Sequence, residues 1–180
     1  GVSSLMFNPL RQFPANRIAP TLVDTEFRKQ LLRGHVHDPA AAMLGGVSGH
    51  AGLFSHAFDL ARIMQMLLWE GSYDGQQILK AETVALFTAS QKDALKNRRA
   101  MGFDKPPIPS VFNGPVCQAA SPKSFGHSGF TGTYAWADPE NGLIYIFLSN
   151  RIHPSDENNL LNILNIRTRI HQAAYESLLP

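Results

Sequence analysis

The chain is poor in cysteine, in surplus charge and in long apolar runs, and each shortage narrows what it can be. Cys117 stands alone, so neither an intrachain disulfide nor a cysteine-held zinc site can form. The formal net charge is +2 with 17% charged residues, too slight a basic bias to draw nucleic acid or an anionic membrane by electrostatics. A small molecule or another polypeptide is the expected partner. The longest apolar run, Leu143 to Leu148, has the length of a strand and falls well short of the roughly 18–20 residues of a membrane span. The chain opens on Gly1-Val2-Ser3-Ser4 with no methionine, basic lead or apolar signal core. That opening points to an upstream part of a longer protein, which would carry any targeting segment.

What is present is enough apolar material for one core: 44% of 180 residues. Residues 1–54 are rich in Gly, Pro and Ala and read as loop, apart from a possible short helix from Asp24 to Leu32 capped by Asp24. Residues 55–99 are helical. Ser55 is placed to cap, Asp59 falls in the first turn, and Leu60, Ile63, Met64, Leu67 and Leu68 recur at helical spacing, predicting a helix from about His56 to Glu70. A second, shorter helix is expected over Ala81 to Ala89. Residues 100–124 hold Pro106, Pro107, Pro109, Pro115 and Pro122 and should form a long surface loop. Residues 125–151 form a sheet hairpin, with Thr131 to Ala137 and Leu143 to Leu148 joined by the turn Asp138-Pro139-Glu140-Asn141-Gly142. Residues 155–179 give a terminal amphipathic helix, capped by Ser155 and carrying Leu160, Ile163, Ile166, Ile170 and Ala173 on one stripe. The class is α+β, an antiparallel sheet flanked by helices. A hairpin is too little sheet for so apolar a strand, so more strands or a second copy of the chain, paired through the exposed edge as a homodimer, should complete it.

The sharpest local signal is Phe125-Gly126-His127-Ser128-Gly129-Phe130-Thr131-Gly132-Thr133. Glycines here allow a ligand or a backbone to come close to a strand edge. The other reading is a tight β-bulge with a hydrogen-bonded histidine. His127-Ser128-Gly129 resembles the Lys/His-Thr/Ser-Gly motif of serine β-lactamases, penicillin-binding proteins and related esterases. Gly45-Gly46-Val47-Ser48-Gly49-His50-Ala51-Gly52-Leu53-Phe54-Ser55 followed by Asp59-Leu60-Ala61 resembles this family's Gly-rich approach to an internal helix. Leu148-Ser149-Asn150-Arg151 resembles its next strand end, and Phe7-Asn8-Pro9-Leu10 the stretch after its Tyr-x-Asn motif. The resemblance covers nearly the whole chain, as the carboxy-terminal half of a class C β-lactamase-related domain. The wording around Gly34-His35-Val36-His37-Asp38 is also similar to a subfamily appended to family 3 glycosidases acting on cell-wall sugars.

The departures are specific. No serine has a lysine three positions later, none of the four tyrosines begins Tyr-x-Asn, and no Gly-x-Ser-x-Gly elbow is present. The resemblance implies an upstream Ser attacking an ester or amide carbonyl, with an upstream Lys and Tyr moving protons. This chain would supply the opposite wall: the Phe130 N–H, just after Gly129, as an oxyanion donor, and Ser128 Oγ toward a substrate carboxylate or carbonyl. A neutral His127 in place of Lys would weaken attraction for an anionic substrate and favour an esterase-like or peptidase-like one. His37, Asp38, His50, Gly132 and Arg151 would line the substrate side. The resemblance implies no cofactor and a periplasmic or secreted location.

Other readings stay open. His35, His37, Asp38 and His50 could mark a metal-dependent hydrolase, although their spacing fits no familiar ligand pattern. More simply, His37 and Asp38 form a hydrogen-bonded pair beside the cleft and His50 is wedged among glycines. Ser48 lacks the strand-to-helix elbow of a nucleophile, Arg151 could anchor the terminal helix, and Lys92, Lys96, Arg98 and Arg99 read as solvated surface. The whole chain could also be a non-catalytic binding or packing module that keeps the fold.

Overall fold

A computed structural model describes residues 1–91, 98–107 and 116–178. Its centre is an antiparallel sheet of three strands, β7 (Phe125–Ser128), β8 (Tyr134–Asp138) and β9 (Leu143–Phe147), with β8 in the middle. The turn after Asp138 closes the β8–β9 hairpin as expected, with Gly142 at positive φ and the Asp138 carboxylate accepting from the Glu140 and Asn141 amides. A third strand ahead of this hairpin extends the sheet that the sequence suggested. Earlier in the chain lie β1 (Met6–Phe7), β2 (Pro20–Asp24), β3 (Gln30–Arg33), β4 (Leu53–Phe54), β5 (Ser72–Tyr73) and β6 (Gln76–Gln77), in three two-stranded pairs. The helices are α1 (Pro39–Met43), α2 (Ala57–Leu68), α3 (Ala81–Thr88), α4 (Leu160–Ile163) and α5 (Ile166–Glu176).

Strand alternation sorts the sheet's two faces. Ala135 and Ala137 of β8, paired with Ile146 and Ile144 of β9, face α2. There Met64, Leu67 and Leu68 pack with Phe125 and Phe103. Small residues on the central strand let the helix approach closely. On the opposite face Tyr134 and Trp136 stack on each other and meet Val116, Tyr145 and Phe147. His171 and Tyr175 of α5 close over them. The sheet is thus covered on both sides, as a strand apolar on both alternations requires.

Asp138, fully buried at the end of β8, joins three elements. It accepts from Ser121 N and Oγ, from Asn141 Nδ2 and from the Tyr175 hydroxyl. Burial alone would raise its pKa, but these donors outweigh that effect and hold it below the ordinary carboxylate value.

Several expected elements differ. Asp24 to Leu32 is no helix: β2 and β3 form a hairpin whose turn the Asp24 carboxylate organises, accepting from the Glu26 and Phe27 amides and from Arg28 Nε. Residues 1–54 carry four strands and a helix rather than mostly loop. His56, not Ser55, caps α2, its Nδ1 accepting from the Asp59 amide. The terminal helix starts at Leu160, not after Ser155, and breaks at Asn165, whose φ of 50° is left-handed. The proline-rich stretch is not all surface, since Lys105, Val116, Cys117 and Ser121 are buried; Pro109 and Pro115, like Lys92 and Lys96, lie outside the described residues. Arg98 and Arg99 are not simple solvated charges, because both contact the buried Asp104 carboxylate, at 2.9 and 2.6 Å.

Candidate active site

The ladder between β7 and β8 stops at Ser128 paired with Tyr134. Beyond it Gly129 donates to the Thr133 carbonyl and Gly132 to the Gly129 carbonyl, closing a tight turn over residues 129–133. Gly132 takes a φ of +110° there, and a Cβ at that position would collide with Ser149 Oγ, which itself donates to the Gly132 carbonyl. The Arg151 amide bonds the Thr131 carbonyl. The strand end at 149–151 therefore braces the turn from behind. Inside this frame the Phe130 N–H and Ser128 Oγ make no hydrogen bond with any described residue. A neutral donor pair left open at the end of a fixed strand is what an oxyanion or carboxylate needs.

Phe130 is held although its side chain is 58% exposed. The imidazole of His37 stacks on one face, with ring centroids 5.1 Å apart and planes at 17°. The Arg151 guanidinium lies 4.5 Å from the ring centroid, and its Nε donates to the Phe130 carbonyl at 2.8 Å. Partial burial and the nearby positive charge of Arg28 lower the pKa of His37, favouring a neutral ring in that stack. Arg28 also fixes His37 from the backbone, donating to the Val36 and His37 carbonyls at 2.5 and 2.6 Å while its Nε is paired with Asp24. Arg28 could not be singled out from the sequence, because its partners lie eight and nine residues on, beyond a strand.

His127 sits on β7 with Nδ1 against the Ser128 carbonyl at 2.8 Å and Nε2 against Arg99 Nη1 at 2.8 Å. Nε2 must accept from the guanidinium, so Nδ1 carries the proton and the ring is neutral. The Arg99 guanidinium that holds His127 is itself paired with the buried Asp104 carboxylate at 2.6 Å.

Asp38 and His37 do not pair. Asp38 accepts from the Ala41 amide as the cap of α1, and its Oδ1 lies 3.0 Å from His50 Nε2. Those two contacts depress its pKa, the Ala41 amide more than the imidazole. His50 is not wedged among glycines but exposed, and its Nδ1 is 2.8 Å from Ser48 Oγ. Nor does Arg151 anchor the terminal helix. No group of three or more His, Cys, Asp or Glu side chains gathers as a metal site among the described residues. The structure thus brings His37, His127, Ser128, Gly129, Phe130, Gly132 and Arg151 to one wall, with Asp38 and His50 as a separate pair beginning one residue after His37.

The sequence profile of the beta-lactamase family matches residues 9–168. Among curated proteins, the chain is 36% identical over 165 residues to a protein of Escherichia coli (strain K12) named "Putative D-alanyl-D-alanine carboxypeptidase", covering 85% of this chain and 37% of that protein. It is 35% identical over 175 residues to one of the same name from Salmonella paratyphi B, covering 90% of this chain and 40% of the relative. The chain therefore spans about two fifths of the length of these relatives. Among solved structures, a beta-lactamase from Mycobacterium bovis superposes with a TM-score of 0.53 at 22% identity, over 71% of this chain and 46% of that one, and so shares the fold. With a family profile spanning all but its ends, the chain belongs to the beta-lactamase family.

Proposed function

We propose that this chain is the carboxy-terminal part of a single beta-lactamase-like domain that hydrolyses an ester or amide through an acyl-serine intermediate. Its share of the work is the wall opposite the nucleophile. A serine hydroxyl from the other part of the domain attacks the substrate carbonyl carbon, and the oxygen that gains negative charge meets the Phe130 N–H. Ser128 Oγ donates to the substrate's carboxylate or carbonyl. Arg99, itself paired with the buried Asp104 carboxylate, orients His127 through Nε2, and the open donors at Ser128 and Phe130 suit a peptide with a free carboxylate. Gly132 leaves room for the turn, and His37 with Arg151 holds the Phe130 backbone in place.

The observation that carries this reading is the pair of open donors at Ser128 and Phe130, at the point where the β7–β8 ladder ends. The names of the curated relatives support a cell-wall peptide as the substrate class and a periplasmic site of action. No cofactor is needed for the steps given to these residues.

The test is covalent labelling of the whole protein with a fluorescent penicillin and separately with a fluorophosphonate. An adduct on a serine outside this chain is the expected result, and Ser128→Ala should then lower kcat/KM on a carboxylate-bearing peptide by about 10- to 100-fold, the worth of one hydrogen bond to a charged group. A folded protein that forms no adduct with either reagent on a serine outside this chain would instead be a binding module that keeps the fold without the reaction.

A further inference from the structure

The loop from α1 to β4 builds a second hydrogen-bonded chain that the wall at Phe130 does not use. Ser48 Oγ lies 2.8 Å from His50 Nδ1, and His50 Nε2 lies 3.0 Å from Asp38 Oδ1. A carboxylate can only accept, so Nε2 carries the imidazole proton. In the neutral ring Nδ1 is then a lone pair facing Ser48, and the Ser48 hydroxyl is the donor. That is the protonation pattern that turns a serine into a nucleophile, a base beside the hydroxyl and an anion behind the base. The two ring nitrogens exchange the places they hold in the serine proteases, and the logic of the relay is unchanged.

The relay is assembled by the fold, not by sequence neighbours. Asp38 is fixed by capping α1, where its carboxylate accepts from the Ala41 amide at 2.8 Å. Gly45 and Gly46, both at positive φ, then reverse the chain and bring residues 48–50 back beside it. The reversal is pinned by the Gly46 amide on the Ala41 carbonyl and by Asn8 Nδ2 on the Gly45 carbonyl. The nucleophile's surroundings are open. A Cβ at Gly49 would meet nothing within 4 Å, and the Gly49 N–H, adjacent to Ser48, bonds no described residue. Met43 at the end of α1, with Leu44 and Val47 on the loop, is exposed and offers an apolar apron to a short acyl chain.

We propose that Ser48 is a nucleophile in its own right, activated by His50 and Asp38, which accepts the acyl group of small activated esters. The Ser48 proton passes to His50 Nδ1 as Oγ bonds to the ester carbonyl carbon. The tetrahedral oxyanion lies toward the Gly49 N–H. The bond to the leaving alkoxide or phenoxide breaks, and that oxygen takes the proton from Nδ1. Water then adds to the acyl-serine, gives its proton to Nδ1 and releases the carboxylic acid, returning Ser48 to its hydroxyl form. The Asp38 carboxylate balances the imidazolium charge in both halves. None of this depends on a nucleophile outside the chain.

The experiment is a fluorophosphonate reaction followed by tryptic mapping, since residues 34–62 contain no internal cleavage site and hold Ser48 together with Ser55. Attack of Oγ on phosphorus expels fluoride and leaves the phosphonyl mass on the peptide. Fragmentation should place it on Ser48. The adduct on that peptide should vanish in Ser48→Ala and form about 100-fold more slowly in His50→Gln and in Asp38→Asn; asparagine still caps α1, so thermal stability serves as the folding control. Release of p-nitrophenol from p-nitrophenyl acetate should show the same order of variants. Peptide 34–62 left unmodified in folded protein, or modified at the same rate in His50→Gln, would overturn the proposal. Labelling of a serine elsewhere bears only on the domain's main reaction, so the two readings fail separately.

Discussion

Two single residues set conditions that their neighbours cannot relax. Gly126 lies between the Asp104 bridge on one side of β7 and Trp136 on the other. A Cβ there would collide with the Ala135 carbonyl oxygen and the Trp136 ring, so Gly126→Ala should cost about 1–3 kcal/mol of stability by overpacking, read from urea unfolding. His171 is the second. It is buried against Tyr145, with rings 4.3 Å apart, and its Nε2, like Trp136 Nε1 beside it, has no hydrogen-bond partner among the described residues. Burial lowers its pKa from 6.5 to about 4. The unfolded chain therefore takes up a proton that the folded protein refuses, and stability falls as pH drops from about 6.5 toward 4, then levels off. The gap corresponds to roughly 3 kcal/mol. His171→Phe should flatten that slope in unfolding curves measured at pH 7 and pH 4.5; an equally steep fall in the variant would place the acid sensitivity elsewhere.

At the scale of elements, the helix α2, the β8–β9 hairpin and the His-Ser-Gly strand end could be read from residue order, because each follows a local rule: a helical stripe, a turn pentapeptide, a glycine pattern. What could not be read has long-range or ambiguous causes. A carboxylate that accepts amides two and three residues later fits a helix cap and a hairpin turn alike. At Asp24 the outcome is settled by Lys29 at a φ of 51° and by Arg28 reaching on to residues 36 and 37. His50 finds its acid 12 residues back and His127 its guanidinium 28 residues back, distances at which the sequence gives no pairing signal. The break between α4 and α5 rests on one left-handed residue. Asn165→Ala should lower stability by about 1–2 kcal/mol, while Asn165→Gly should leave it nearly unchanged, as thermal unfolding of the two variants would reveal.

At the scale of the molecule, β9 is the outer strand of its sheet among the described residues, apolar on both alternations and next to the exposed Leu148. An edge of this kind invites another strand. We expect this chain on its own to self-associate in a concentration-dependent way in sedimentation equilibrium, and Leu148→Lys to weaken that association. A monomer at every concentration would mean that the edge is already covered.

The segment that opens this chain is tied firmly to α2. The Ser3 and Ser4 amides and the Ser4 hydroxyl all donate to the buried carboxylate of Asp59, in the first turn of α2, and Arg62 holds both that carboxylate and the Gly1 carbonyl. Any tag or dye joined to Gly1 consequently leaves from the foot of α2. A fluorophore attached there would give an optical signal when that helix loosens from the sheet.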